Sequence, residues 1–153
     1  MTALSIRPAV PEDLDAIWAI ESAVFAGDAW SRDMMREELA AEHRQYLVLV
    51  DADGRVRGYG GLLAIGAEGD IQTIALAPEA RGAGYGRRLM DALLDAAALQ
   101  LVSDVFLEVR ADNPVAQSLY GALGFVEIAV REKYYQPDGV DAIVMKLSMK
   151  ERK

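Results

Sequence analysis

Hydrophobic and polar residues in the first 42 positions follow the pattern of one strand and then two helices. They alternate over residues 4–7, as in a strand with one face against a core. Pro11, with two acidic residues after it, is typical of the first turn of a helix, where free N–H groups favour negative charge. Ser31 is expected to cap a second helix that ends near residue 42. In the first helix the side chains expected to be buried are Leu14, Ile17, Trp18 and Ile20.

Strand-like runs dominate the middle of the chain. Residues 46–50 and 56–65 are rich in β-branched and aromatic residues, and the Asp-Ala-Asp-Gly segment between them predicts a hairpin. A strand over 70–77 comes next, and a glycine-rich segment, a helix of 3.6-residue apolar period and a strand beginning at Val105 follow it. This order predicts a βαβ unit, whose two strands are parallel.

The last third of the chain is predicted to complete the sheet. Asn113 and Pro114 are residue types that cap and begin a helix, and Gly124 is expected to end it. Strands are predicted over 125–130 and 141–147. No internal repeat or linker is visible, so the whole chain is expected to form one sheet-and-helix unit.

Composition narrows the possible functions. The single domain expected for residues 1–153 has a net charge of −8, which disfavours direct binding to nucleic acid or an anionic membrane and favours a basic partner. Without cysteine, and with His43 as the one histidine, the chain offers neither a thiolate nucleophile nor a Cys/His metal site. No apolar run approaches the roughly 18 residues of a membrane helix, and no secretory signal is evident. A cytoplasmic monomer or weak dimer is expected.

Residues 81–86 form a glycine-rich loop between a predicted strand and a predicted helix. Backbone N–H groups in such a loop can converge on a phosphate at the positive end of the helix. The P-loop does not fit, because Gly86 is followed by two arginines and not by Lys and Ser or Thr, and the dinucleotide fingerprint beginning at Gly82 lacks its third glycine. The loop is therefore either a tight turn alone or a phosphate site of another kind. The basic residues that favour phosphate are Arg81, Arg87 and Arg88.

The loop and its flanks resemble the acetyl-CoA signature of the GNAT acetyltransferase superfamily. The likeness lies in Arg81-x-x-Gly84-x-Gly86, which the apolar run 74–78 precedes and an amphipathic helix follows. It implies an α/β fold with a central mixed, mostly antiparallel sheet of about seven strands and about four flanking helices, and acetyl-CoA as co-substrate without a metal. The strand residues implied to bind pantetheine are Ile74, Ala75 and Leu76. The loop residues implied to bind the cofactor are Arg81, Gly82, Ala83, Gly84, Tyr85, Gly86 and Arg87.

A second group of polar residues follows the predicted strand at 105–107. Glu108 and Arg110 lie at its carboxyl end, where open α/β sheets bind ligands, although the strand alone favours a simple ion pair between these two residues. The strand itself is expected to be covered on both faces, since residues 105–107 are all apolar. Asn113 and Tyr120 are seven residues apart on the following helix, so both side chains can turn toward the same cleft.

This second group resembles the RimI-type N-terminal protein acetyltransferases. The likeness covers about 71–147 well and the first 70 residues mainly in element order. The resemblance implies that Glu108 is the general base, Tyr120 the general acid and Asn113 a cofactor ligand. It also implies that the acceptor is the N-terminal alanine of the eighteenth small-subunit ribosomal protein. Two positions depart from the pattern: Asp112 replaces a small polar residue, and Gln136 separates a tyrosine from a proline in the region that would bind peptide.

The residues permit direct transfer of an acetyl group to an amine. An α-amino group has a pKa of about 7.7–8.0, so most of it must lose a proton near pH 7, and a carboxylate can accept that proton directly or through water. A tyrosine with a pKa of about 10 can protonate the departing CoA sulfur. Asp28, Asp33, Glu37 and Glu38 are expected to attract a basic peptide terminus, unless they form only a solvated face. The aromatic residues expected to line its channel are Trp30, Tyr134 and Tyr135. The alternatives are acetylation of lysine side chains or small amines, and a non-catalytic acetyl-CoA-binding regulatory module.

Overall fold

The computed structural model describes residues 4–153, except for the side chain of Asp28. Short 3₁₀ turns precede α1 and follow several other elements. The helices and longer strands are β1 (Ser5–Pro8), α1 (Leu14–Phe25), α2 (Arg32–Ala40), β2 (Arg44–Val50), β3 (Val56–Ile65), β4 (Glu68–Leu76), α3 (Tyr85–Leu99), β5 (Asp104–Arg110), α4 (Pro114–Leu123), β6 (Val126–Tyr135) and β7 (Val140–Ser148).

These strands form one seven-stranded sheet in the order β1-β2-β3-β4-β5-β7-β6. Every neighbouring pair is antiparallel except β4 and β5, which are parallel and joined by α3. The predicted βαβ unit and the mixed, mostly antiparallel sheet with four α-helices are therefore confirmed. A parallel pair requires a crossover of this kind, and the crossover carries the glycine-rich loop to the carboxyl end of β4.

Apolar side chains cover both faces of the sheet. On one face α3 and α4 bury Leu89, Leu93 and Leu123 against the central strands. On the other face α1 and α2 bury Ile17 and Met35. Each fully buried side chain of this size contributes about 1.5–3 kcal/mol of hydrophobic free energy, so the two helical layers hold the sheet between them.

A β-bulge at Gln72 changes the course of β4. Gly61 pairs with Thr73 and Leu62 pairs with Ile71, which leaves Gln72 without a partner on β3. The extra residue also reverses which side chains face which layer: Ile71 packs against α3 and α4, while Thr73 bonds to α1. Bulges bend a strand and increase its twist. The ladder between β4 and β5 ends at the Ile71–Leu107 pair, so the carboxyl ends of these two strands separate.

Two burial predictions are wrong. Trp18 is 36% exposed, because it lies on the flank of α1 where its indole N–H donates to the carbonyl of Trp30, 3.2 Å away. The fourth buried side chain of this helix, beside Leu14, Ile17 and Ile20, is instead Glu21, for which the sequence made no burial prediction. Phe106 is partly exposed, since β5 turns only Val105, Leu107 and Val109 into the core and leaves its other face open.

The predicted element ends differ from the observed ones by a few residues. Ser31 caps α2 by accepting a hydrogen bond from the amide of Met34, 3.1 Å away, but the helix ends at Ala40. The strand predicted from residue 70 begins at Glu68, and β6 continues to Tyr135. Across residues 4–153 the helices are all too short or too polar to span a membrane.

Candidate active site

The separated ends of β4 and β5 form the two walls of a cleft of about 180 Å³. Residues 71–74 line one wall, residues 107–110 line the other, and α4 closes the cleft with Asn113, Ala116 and Tyr120. Gln117 fixes the position of α4, because its amide donates to the carbonyl oxygens at the end of β5, at 3.1 and 3.2 Å. The cleft thus brings together Glu108, Asn113 and Tyr120, which sequence reasoning had grouped.

The glycine-rich loop leaves the N-terminus of α3 open to a ligand. Gly82 and Gly84 have φ angles of 81° and 82°, which favour glycine, and a Cβ on either would meet no atom within 4 Å. No side chain in the described part of the chain caps α3, so the N–H groups of its first turn are available to bind an anion. Ala83 and Arg87 are exposed beside them. The loop therefore fits a phosphate group.

The side chains of Arg81, Arg88 and Tyr85 have contacts within the protein. The Arg81 guanidinium donates to the carbonyl of Leu76 at 3.2 and 3.1 Å, so it braces the turn. Arg88 lies over the Tyr85 ring, with 5.2 Å between its guanidinium carbon and the ring centroid. The Tyr85 side chain is itself buried against Leu4, Leu49 and Ala80. Tyr85 can therefore contribute to the loop site through its backbone only.

Ile74, Ala75 and Leu76 offer their backbone to the cleft side of the sheet. Each pairs with β3 on one side, but β5 provides no partner on the other, because the ladder has already ended at Ile71. Ile74 and Leu76 pack toward α3 and α4, while Ala75 is buried toward α1. An extended ligand placed along this free edge would find backbone donors and acceptors in the spacing of a missing strand.

Glu108 is a half-buried carboxylate at the meeting point of the cleft and a larger groove. It pairs with Arg131 at 3.5 Å rather than with Arg110. The neighbouring Glu108 carboxylate, together with burial, raises the pKa of the Tyr134 phenol. Arg110 instead binds Asp112 at 3.0 Å and Asp138 at 2.7 Å. The simple Glu108–Arg110 ion pair considered from the sequence is therefore not formed, and Glu108 faces the cavities.

Tyr120 presents a protonated hydroxyl to the cleft from a buried position. It is 7% exposed, and its ring contacts Phe125 edge to face, with 6.1 Å between centroids. Gly124 ends α4 with a φ of 108° and so folds Phe125 back onto Tyr120. Burial disfavours the phenolate and raises the pKa of Tyr120 to about 12. The hydroxyl therefore remains a hydrogen-bond donor throughout the physiological range.

The side-chain oxygen of Asn113 accepts a hydrogen bond within α4, and its side-chain NH₂ group is available to a ligand. As predicted, it caps α4: its Oδ1 accepts a hydrogen bond from the amide of Ala116, 3.1 Å away. Asn113 is exposed and lines the cleft, so its side-chain NH₂ group remains for a ligand. One residue thus starts the helix and presents a donor to the cleft.

The larger groove, of about 760 Å³, combines aromatic and acidic side chains. Trp30, Tyr134 and Tyr135 all line it, and the two tyrosine rings meet edge to face with 5.1 Å between centroids. Arg131 stacks over Tyr134, and Arg110 over Tyr135. These stacks fix two aromatic walls next to the cleft.

The acidic residues of the groove are not those expected from the sequence. Asp33 pairs with Arg36 on the surface of α2, whereas Glu37 and Glu38 line a separate shallow pocket and Glu38 pairs with Arg44. The Asp28 side chain lies outside the described part of the structure. Asp33, Glu37 and Glu38 therefore lie outside this groove, and their expected attraction for a basic peptide stays a prediction.

Glu68 and Asp70 are the acidic groove residues that sequence reasoning missed. They lie beside Asp104 and Phe106 in the parallel ladder and share the groove with Glu108. Burial, and then the charges of Glu68 and Glu108, raise the pKa of Asp70. Glu68 and Asp70 alternate with the buried Gly69 and Ile71, so the two-residue period was the available signal that they share the open face.

Comparison with known proteins agrees with the geometry. The model of the acetyltransferase (GNAT) family matches residues 14–125. The chain belongs to the GNAT acetyltransferase family. It is 37% identical over 132 residues to the N-alpha-acetyltransferase RimI of Mycobacterium tuberculosis, covering 83% of this chain and 81% of that protein.

Two further similarities bear on this GNAT chain. The crystal structure of the ribosomal-protein-S18-alanine N-acetyltransferase from Escherichia coli superposes with a TM-score of 0.88 at 31% identity, covering 96% of this chain and 94% of that one. An uncharacterized protein of Mycobacterium leprae is 39% identical over 141 residues, or 89% of this chain, but the chain spans only 38% of its length. The narrower resemblance to RimI-type proteins is confirmed.

The raised pKa of Tyr120 can be measured by spectrophotometric titration of the wild-type protein and Tyr120→Phe. An unperturbed phenol ionises near pH 10, whereas burial should delay ionisation of Tyr120 to about 12. The difference between the two phenolate absorbance curves should therefore stay flat through pH 10 and rise only near pH 12. A difference curve with its midpoint near pH 10 would show that the hydroxyl is not held in an apolar setting.

Proposed function

We propose that this GNAT acetyltransferase transfers the acetyl group of acetyl-CoA to the α-amino group of an N-terminal alanine, with ribosomal protein bS18 as acceptor. The observation that carries the proposal is the junction of the two cavities. The cleft that holds Tyr120 opens at Glu108 into a groove with aromatic walls and two further carboxylates, Glu68 and Asp70. An acidic groove suits an α-ammonium group and the basic residues behind it.

The names of the relatives support this choice of acceptor. Proteins of Salmonella typhimurium and Escherichia coli named [ribosomal protein bS18]-alanine N-acetyltransferase are 34% and 31% identical to this chain. In each case the match covers 88% of this chain and 90% of the relative.

Acetyl-CoA would bind along the open edge of β4. The first-turn amides of α3 and the loop 82–87 would hold the pyrophosphate, and Arg81 would keep that loop in place. The backbone of Ile74, Ala75 and Leu76 would pair with pantetheine as a strand pairs with its neighbour. The NH₂ group of Asn113 would donate to the cofactor from the opposite wall. This placement puts the thioester between the two strands, next to Tyr120.

The transfer itself needs three groups of the protein. Glu108 accepts a proton from the α-ammonium, whose pKa of about 7.7–8.0 leaves most of it protonated near pH 7. The free amine attacks the thioester carbon, and a backbone N–H of β4 stabilises the oxyanion by roughly 3–4 kcal/mol. As the C–N bond forms and the C–S bond breaks, Tyr120 donates its proton to the sulfur. The nitrogen loses its second proton to water as it becomes an amide, and Tyr120 regains a proton from water while Glu108 releases its own to solvent.

The acceptor class is tested by CoA release with a matched set of amines. A peptide that starts with alanine and continues with basic residues should be turned over, and its N-terminally blocked twin should give only background release. Replacing its basic residues with glutamates should raise KM, because the groove carries Glu68, Asp70 and Glu108. Equal activity on the blocked twin would identify lysine as the acceptor, and activity on small amines alone would also contradict the proposal.

The catalytic roles are tested by Tyr120→Phe and Glu108→Gln. General acid–base groups contribute about 10²–10⁴-fold, so Tyr120→Phe should lower kcat by on the order of 100-fold while the KM for acetyl-CoA stays within about twofold. Glu108→Gln should also lower kcat and flatten the acidic limb of the pH–rate profile, because the proton acceptor is lost. Steady-state kinetics over a pH series gives both results.

The matched control for the tyrosine is Tyr46→Phe, because the Tyr46 hydroxyl is buried without a hydrogen-bond partner among the described residues. The control for the carboxylate is Glu127→Gln on the exposed strand β6. If kcat were unchanged in both Tyr120→Phe and Glu108→Gln, these residues would be structural and the proposed mechanism would be wrong.

A further inference from the structure

Trp30 is shared by three neighbouring cavities. It lines the cleft, the acidic groove and the shallow pocket beside α2. It belongs to the short connection between α1 and α2, a type of segment that is ordinarily mobile. A groove wall of this kind binds a peptide well only if the wall is already in place, because ordering it on binding costs free energy.

Two side chains of α1 hold the main chain of Trp30. The amide of Trp30 donates to Oε2 of Glu21, 3.0 Å away. Its carbonyl accepts a hydrogen bond from Nε1 of Trp18, 3.2 Å away. Trp18 and Glu21 are three residues apart and so project from the same side of the helix. Both backbone hydrogen-bonding groups of Trp30 are therefore fixed by one helix.

Glu21 also connects this clamp to the wall of the cleft. Its Oε1 accepts hydrogen bonds from the hydroxyl of Tyr59 on β3 and from Oγ1 of Thr73 on β4, the latter at 3.3 Å. Thr73 directly follows the bulge that opens the cleft. Burial, and then the charge of Glu21, raise the pKa of Tyr59 far above its ordinary value, so that phenol is a permanent donor.

The carboxylate of Glu21 is costly where it lies. It is 2% exposed, and no arginine or lysine in the described part of the chain forms an ion pair with it. Burying a charge that only neutral donors satisfy costs more than burying an apolar side chain of the same size. The Glu21 carboxylate links the α1–α2 connection, which carries Trp30, to strand β4, which forms one wall of the cleft.

We propose that Glu21, with Trp18, is a positioning residue that sets Trp30 as a rigid wall of the acceptor groove and thereby governs binding of the acceptor. This proposal depends on the proposed function in one respect only, which is that the acceptor is an N-terminal peptide. Glu21 itself lines the cleft, and the role proposed for it is exerted through Trp30 rather than by proton transfer. Its loss should therefore weaken acceptor binding more than acetyl-CoA binding or the chemical step.

Four variants separate this role from a general role in stability. Glu21→Ala removes the link to Trp30. Glu21→Gln keeps it, because the amide oxygen can accept from Trp30 while its NH₂ group donates to the Tyr59 and Thr73 hydroxyls, which can rotate to accept. Trp18→Phe removes only the second hydrogen bond to Trp30. Ser22→Ala is the matched control on α1, where it breaks only a bond within the helix to the carbonyl of Trp18.

Each variant is measured by hydrogen exchange of the Trp30 amide and by steady-state kinetics. A lost hydrogen bond to a charged group corresponds to on the order of 10- to 100-fold, so Glu21→Ala should speed exchange at residue 30 and raise acceptor KM by about 10-fold or more. The acetyl-CoA KM and kcat should stay within about twofold. Trp18→Phe should act in the same direction but less strongly, and Glu21→Gln and Ser22→Ala should resemble the wild-type protein.

The proposal is overturned if Glu21→Ala changes both KM values equally, or lowers kcat while exchange at Trp30 stays slow. It is also overturned if Glu21→Gln is as impaired as Glu21→Ala. Should Glu21→Ala fail to fold, Trp18→Phe decides, and a wild-type acceptor KM and wild-type exchange in that variant would contradict the clamp. If the wild-type protein acetylates only small amines, the proposed function is wrong, and exchange at Trp30 together with the KM for that amine still tests the clamp.

Discussion

The separation of β4 and β5 after the Ile71–Leu107 pair is the constraint on which the rest of the structure depends. Two parallel strands in the middle of a sheet would ordinarily stay paired, since a buried backbone group without a partner costs about 1–3 kcal/mol. Here the bulge at Gln72 bends β4 away and leaves its edge free over 72–76. A ligand that pairs like a strand would replace the missing ladder, so the defect in the sheet is the candidate binding site.

The elements around this opening divide the work between its two sides. The crossover helix α3 places its free N-terminal amides beyond the end of β4, where they favour a phosphate. On the other side, the open face of β5 and the start of β4 bring three carboxylates together in the groove: Glu68, Asp70 and Glu108. In the proposed function, an anionic cofactor and a cationic acceptor would approach from different directions and meet beside Tyr120.

Local patterns predicted the parts of the site that depend on local chemistry. The Arg81–Gly86 spacing indicated an anion-binding loop, Asn113-Pro114 indicated a helix cap, and the position of Glu108 at a strand end indicated a cleft. Each of these features involves neighbours in the sequence, so the residue types carry the information. The family resemblance then supplied the roles of Glu108 and Tyr120, which spacing alone left open between a site and a structural pair.

The features that were missed depend on contacts distant in the sequence. The apolar pattern cannot show that β5 is open on one face, so Phe106 was expected to be buried. Glu21 is buried because the Trp30 amide and the hydroxyls of Tyr59 and Thr73 donate hydrogen bonds to its carboxylate. Trp18 lies at the surface, where its indole N–H donates to the carbonyl of Trp30. The bulge at Gln72 has no distinctive residue type at all.

The most direct test of this account is a crystal structure of the protein with a bisubstrate analogue that joins CoA to the N-terminus of an alanine-starting basic peptide. The account predicts the pyrophosphate at 82–87, the pantetheine along 74–76 and the junction of the two halves between Glu108 and Tyr120. The peptide should then run past Trp30 into the acidic groove. A junction outside the β4–β5 cleft, or a peptide that leaves along another face, would contradict it.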